Sequence, residues 1–130
     1  QEVALHDVRK SMMMFQKVNV PLLGIVENMS FFLCGHCGER TEIFSHGGGE
    51  RAAEKLGIPF LGRVPIDPAI RAGGDTGNPI VVAKPDSPQA QAFREIAAKL
   101  AAALQTGEAG AAKSRIASLL DKIKRPATGN

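Results

Sequence analysis

Cys34 and Cys37, in the string Cys34-Gly35-His36-Cys37, are the two cysteines of this sequence. Their spacing lets both sulfurs turn to one side of a tight turn and share a single metal. His36 lies between them and is poorly placed to bind the same ion. Gly38 follows directly, and a glycine there suits a knuckle whose backbone N–H groups point at the sulfurs. A pair of sulfurs does not fill a tetrahedral site. Either other residues of the chain complete it, or a second copy brings its own cysteines.

Few other residues offer chemistry. Asn28 carries both an amide donor and a carbonyl acceptor, so it can read the edge of a purine or simply close a turn. Ser45-His46-Gly47-Gly48-Gly49 opens a helix, and a glycine-rich helix start can cradle an anion. HGGG is also an esterase oxyanion pattern, but no G-x-S-x-G accompanies it. The glycines read as a flexible approach to the helix, and His46 as incidental. His6, beside Asp7 in the first turns of a helix, reads as a surface or cap residue. Asp67 before Pro68 is an N-cap followed by a good first helical residue. The sequence contains no Ser/His/Asp arrangement of interest and no G-x-x-x-x-G-K-[ST] phosphate loop.

The elements that must position these residues follow from periodicity. Ala4, Val8, Met12 and Phe15, widened by Leu5 and Met13, make an apolar stripe over a helix at 3–17. The methionine triplet at 12–14 reads as core filler rather than a soft-metal face. The near-continuous apolar run at 22–27 predicts a strand covered on both faces of a parallel sheet. Ligands bind beyond the carboxyl ends of such strands, where Asn28, Met29 and Ser30 stand. Phe31, Phe32 and Leu33 then lead into the cysteines, as core or as a patch that wants a partner surface. A short helix over 50–56 ends at Gly57. A second apolar strand is expected over 58–65, a short helix over 69–72 stopped by Gly73-Gly74, and extended chain at 80–82. Ser87-Pro88 starts a packing helix with Phe93, Ile96, Leu100 and Leu104 on one face.

Composition sets the wider bounds. At 130 residues the chain makes one modest domain or part of a larger one. Its first residues already read as helix with no preceding strand or cap, so more of the domain is expected ahead of Gln1. No run is long enough to span a membrane. Cysteines at metal spacing, without a wider disulfide framework, suit a reducing cytoplasm. Over residues 1–104, 11 Lys and Arg balance 11 Asp and Glu, and the net charge of +3 belongs to 105–130. The body therefore has no electrostatic footprint for nucleic acid, and without Trp or Tyr it has little for base stacking. Residues 105–130 are expected to be a linker, a basic helix and a disordered end.

From Glu2 to about Leu104 the sequence resembles the C-terminal half of the Mrp/ApbC-type iron–sulfur cluster carrier proteins, P-loop NTPases related to the MinD ATPases. The match is carried by Gln1-Glu2-Val3-Ala4-Leu5 with Asp7 and Arg9-Lys10, by Phe15-Gln16-Lys17-Val18-Asn19-Val20-Pro21, and by Gly24-Ile25-Val26-Glu27-Asn28-Met29-Ser30. Cys34-x-x-Cys37-Gly38 follows, then Ile43-Phe44 with Gly47-Gly48-Gly49-Glu50. Leu56-Gly57-Ile58-Pro59-Phe60-Leu61-Gly62-Arg63-Val64-Pro65 and Asp67-Pro68 complete it. The resemblance implies an α/β fold, the C-terminal part of a three-layer, mostly parallel-sheet P-loop NTPase. It implies that Cys34 and Cys37 of two subunits hold one [4Fe-4S] cluster across a homodimer, and that the cluster passes to apo iron–sulfur client proteins. It implies coupling to ATP and Mg²⁺, with Asn28 at the adenine and, less directly, Pro65 and Asp67 nearby. The family's Walker A segment and Mg²⁺-binding acids precede residue 1, so this chain by itself is not expected to hydrolyse ATP, and unpaired apolar surface is expected.

Two other readings of the thiols compete with a carrier. A structural zinc site would only clamp a dimer, and ligand type alone does not decide, because thiolates suit zinc and iron–sulfur clusters alike. A dithiol redox site fits less well, since its CxxC opens a helix after a strand, whereas this one sits in a glycine-flanked loop.

Overall fold

The computed structural model describes residues 2–105. The linker and basic helix expected beyond Gly107 lie outside them. In chain order come α1 (Glu2–Lys17), β1 (Ile25–Glu27), β2 (Phe32–Leu33), β3 (Arg40–Thr41), α2 (Gly48–Leu56), β4 (Phe60–Arg63), α3 (Pro68–Thr76), α4 (Ile80–Ala83) and α5 (Pro88–Gln105).

β1 and β4 pair in parallel, with Val26 opposite Gly62 and Glu27 opposite Arg63. Successive side chains of a strand point to opposite faces, and the contacts separate two covering layers. On one face Glu27 reaches α2 and Arg63 pairs with Glu50. On the other, a side chain at Gly62 would meet Ile96 of α5 at 2.8 Å. The result is helix, parallel strands, helix. This is the expected α/β arrangement. α3 and α4 continue the α5 side, where Ile80 and Ala90 are buried.

The core is small. Met12 and Ile58 form its centre, with Leu22, Ile25 and Leu56 packed around them. The stripe expected on α1 is buried only at Met12, whereas Met13 is 47% and Met14 55% exposed. α1 lies mainly against α2, so one turn of its stripe is covered and the rest faces outward. Nor is β1 covered on both faces, since Val26 remains 41% exposed. The expected unpaired apolar surface is therefore present.

Several boundaries differ from expectation, each for a local reason. β1 is shorter than 22–27 because its pairing begins only where the Ile25 N–H donates to the Pro59 carbonyl (2.9 Å). α3 runs through Gly73 and Gly74 and stops at Gly77, whose φ of 72° supplies the left-handed cap. Gly73 serves close packing instead: a Cβ there would lie 2.5 Å from the Asn78 carbonyl oxygen. Residues 80–83 are a helical turn rather than extended chain. The Pro79 carbonyl accepts from Val82 and Ala83 while Ile80 is buried, and this tertiary anchoring overrides the β preference of Ile-Val-Val. The cysteine loop is a true hairpin, β2 against β3. Phe31 to Leu33 stay half-buried, and the Arg40 guanidinium covers the Phe31 ring at 3.9 Å.

Candidate functional site: a cysteine hairpin beside a cleft

Cys34 directly follows β2 and Cys37 sits in the turn at the tip of the hairpin. The Cys34 N–H donates to the Glu39 carbonyl (2.9 Å) and the Gly38 N–H to the Cys34 carbonyl (2.8 Å). That closure needs a left-handed residue, and Gly38 provides it at φ 73° with open space around it. Both thiols are free. Backbone N–H groups of Cys37 and His36, together with a hydrogen bond from the Cys37 side chain, hold the Cys34 thiol below the ordinary thiol range. N–H groups directed at a sulfur stabilise its thiolate, the form that binds metal. Cys34 is half-buried and Cys37 exposed. Among the described residues no group of three His, Cys, Asp or Glu could hold a metal. The hairpin thus offers a thiol pair to which the described residues add no further metal ligands.

The hairpin is rooted on Glu27, the last residue of β1. One carboxylate oxygen accepts from the Ser30 hydroxyl (2.5 Å) and the other from the Gly49 N–H (2.6 Å). α2 lacks a capping side chain of its own at Gly47, so Glu27 caps it from a distance. The glycine-rich helix start, read from the sequence as a flexible approach, thus receives an anion after all, a carboxylate of the chain itself. Burial alone would raise the Glu27 pKa. The Ser30 hydroxyl, the N–H groups of Gly49 and Glu50, and the Arg63 charge together outweigh it and hold the carboxyl below its usual value. Arg63 in turn pairs with Glu50. Neither Glu27 nor Ser30 stood out in the sequence as a functional residue. The available signal was an acid closing an apolar strand, which must find partners when buried.

Beyond Glu27 the chain turns sharply. Met29 takes φ 53°, uncommon for a side chain of its kind. The Asn28 Oδ1 accepts from the Met29 N–H (3.0 Å), which leaves the Nδ2 donor for a ligand. The turn is clamped by Val64, directly after β4: its N–H donates to the Glu27 carbonyl (2.9 Å), and the Ser30 N–H donates to its carbonyl (3.0 Å). Asn28 lines a cleft of about 510 Å³ with Glu27, Ser30, Gly48 and Gly49, and with Leu5 and Val8 of α1. Pro65 and Asp67 do not line this cleft. Pro65 is buried. Asp67 caps α3, as expected, through the Ala69 N–H (2.7 Å), and its other oxygen accepts from Gln89 (2.6 Å).

Parallel strands between helices, a cleft at the carboxyl end of β1 and a two-thiol hairpin beside it make up a partial α/β domain of the P-loop NTPase kind. The profile of the ParA family, described as NUBPL iron-transfer P-loop NTPase, matches residues 1–101, and the chain belongs to that family. An iron-sulfur cluster transfer protein NUBPL from Dictyostelium discoideum is 52% identical over 100 residues, which are 77% of this chain and 31% of that protein. An iron-sulfur cluster carrier protein from Pyrococcus furiosus is also 52% identical, over 77% of this chain and 34% of its own length. A nucleotide-binding protein from Archaeoglobus fulgidus, solved in complex with ADP, is 36% identical with a TM-score of 0.52, covering 63% of this chain and 32% of its own. The chain spans about a third of the length of these relatives. Among the described residues, no helix is long and apolar enough to cross a membrane.

Proposed function

We propose that this chain is the cluster-bearing part of an iron–sulfur carrier. Cys34 and Cys37 bind one edge of a [4Fe-4S] cluster, and the same cysteines of a second subunit bind the other, making a homodimer. The cluster is cargo, handed on to apo iron–sulfur proteins. One observation carries the reading: a tight hairpin closed by the Gly38 N–H on the Cys34 carbonyl presents two free thiols, one half-buried and one exposed, with no further metal-ligating cluster among the described residues. The names of the relatives support cluster transfer, and nothing in the hairpin favours a zinc clamp over it. An edge position also suits hand-over, since an exposed Cys37 gives an incoming thiolate access to the metal.

The cleft is the nucleotide side of the same proposal. Asn28 offers its amide donor to the adenine, and the ADP held by the Archaeoglobus relative supports a nucleotide there. Pro65 and Asp67 shape the loop after β4 rather than adding side-chain acceptors, because Pro65 has none and both Asp67 oxygens already accept hydrogen bonds within the chain. Phosphate and Mg²⁺ contacts, and with them ATP hydrolysis, belong to a Walker A segment that this sequence does not contain. A reducing compartment such as the cytoplasm keeps both thiols available.

Anaerobic reconstitution with iron and sulfide tests the proposal. The protein should turn brown and pass its cluster to an apo-ferredoxin, whereas Cys34→Ser and Cys37→Ser should do neither. Uptake of zinc with no cluster would sink the carrier reading in favour of a clamp.

A further inference from the structure

The cysteine hairpin is an excursion from the sheet, leaving after Ser30 and returning at Gly49. Both of its roots are held by one side chain, with one Glu27 oxygen on the Ser30 hydroxyl and the other on the Gly49 N–H. Resting on the reading of the cleft as a nucleotide site and of the hairpin as the cluster site, we propose that Glu27 is the positioning residue that links them. It is a clasp whose two grips, Ser30 and Gly49, also line the cleft.

The geometry supports a link beyond a simple helix cap. Glu27, Ser30 and Gly49 face the cleft together with Asn28, so a ligand seated there touches both ends of the excursion at once. The fit leaves little slack, since a Cβ at Gly49 would stand 2.9 Å from a Glu27 carboxylate oxygen. From Ser30 the link reaches the cysteines through stiff, short connections. The Ile66 N–H donates to the Phe31 carbonyl (2.7 Å), Phe32 bridges Ile66, and Cys34 pairs with Glu39 at the far end of the same hairpin. On the other side, Arg51 of α2 holds the His46 carbonyl (2.5 Å), and His46 contacts Glu42 at 3.2 Å, which fastens the returning strand. A small change in how Glu27 divides its bonds between Ser30 and Gly49 therefore re-aims the hairpin as a unit. Filling the cleft fixes that division, and the thiols move between a closed and a more open presentation.

The test uses the full-length protein and ADP as the probe. Hydrogen exchange on the cluster-free protein is read at the amides of Cys34 and Gly38, with and without ADP. The clasp predicts slower exchange on ADP binding, by about fivefold or more, the lower end of ordinary site-to-site coupling. Ser30→Ala removes one grip and leaves Gly49 capped, so with each protein held saturated with ADP the ADP effect on the hairpin should disappear. Glu27→Gln keeps an acceptor on Ser30 and weakens the grip on Gly49, and should retain only part of the effect. Cluster release to the ferrous chelator bathophenanthroline should follow the same order in reconstituted protein. An ADP effect undiminished in Ser30→Ala, or a wild type that binds ADP with no change at the hairpin, overturns the proposal. Because the exchange readout needs no cluster, its failure is distinct from failure of the carrier reading, which shows as loss of cluster uptake in wild type.

Discussion

Gly49→Ala tests the Glu27 contact by sign as well as size. Alanine has the higher helix propensity, by up to about 1 kcal/mol over glycine in a helix interior and less in a first turn. The backbone at Gly49 is not left-handed, since it is absent from the positive-φ residues, so propensity alone predicts stabilisation. Sterics predict the opposite. The new Cβ would lie 2.9 Å from the Glu27 Oε2, 3.0 Å from its Cβ and 3.2 Å from its Cγ. The strand backbone cannot retreat, because Val64 and Ser30 clamp it on both sides of Asn28. Glu27 must swing away and surrender its bond to the Gly49 N–H, a charge-assisted bond worth about 1.5–3 kcal/mol. The balance is a net loss of about 1–2 kcal/mol. Gly48→Ala is the control: its Cβ would meet only the Leu5 Cδ1 at 3.5 Å, an ordinary contact, so it should be neutral or slightly stabilising. Urea unfolding of both variants beside wild type measures the difference. A Gly49→Ala midpoint at or above wild type would refute the steric argument and loosen Glu27 from its place in the site.

The Glu27 carboxyl, held below the ordinary glutamate range, favours the folded state above that range, and its contribution is lost as pH falls through the lower folded value. Glu27→Gln should therefore flatten the acid limb of the stability–pH curve below pH about 5, and an unchanged acid limb would count against the hydrogen-bond assignment. Gly38→Ala should destabilise by about 1 kcal/mol, because alanine resists the left-handed φ of 73° at a site with no steric conflict. Gly35→Ala, with open space and no positive φ, should be silent in a thermal melt that resolves the Gly38→Ala loss. Asp67→Ala should cost about 1 kcal/mol through the lost cap on α3, while Asp67→Asn keeps most of it. If both Asp67 variants instead melt like wild type, the cap is not the role of that side chain.

The elements with strong local signals were readable from the residues alone. Ser87-Pro88, Gly57 and the stripe around Met12 place α5, the end of α2 and α1 close to where they lie. The apolar runs around Ile25 and Leu61 reveal a parallel pair. The sequence misleads where the deciding contact is distant. Ile80-Val81-Val82 reads as extended because β-branched side chains favour strands, but the burial of Ile80 and the Pro79 carbonyl make it a turn of helix. Gly73-Gly74 reads as a stop, whereas Gly73 is there to let Asn78 approach. The site divides in the same way. Cys34, Cys37 and Gly38 announce themselves by spacing, whereas Asn28 by its place alone reads as well as a turn residue and is singled out only by the family resemblance. Glu27 is silent, because its partners Ser30 and Gly49 lie on both sides of the hairpin and only folding brings them to one carboxylate.

The most direct measurement is native mass spectrometry of anaerobically reconstituted protein, which counts chains and clusters together. The account predicts one four-iron cluster for two chains, and monomers without iron for Cys34→Ser and for Cys37→Ser. A cluster held by a single chain, or a cluster-linked dimer that persists in either serine variant, would contradict it.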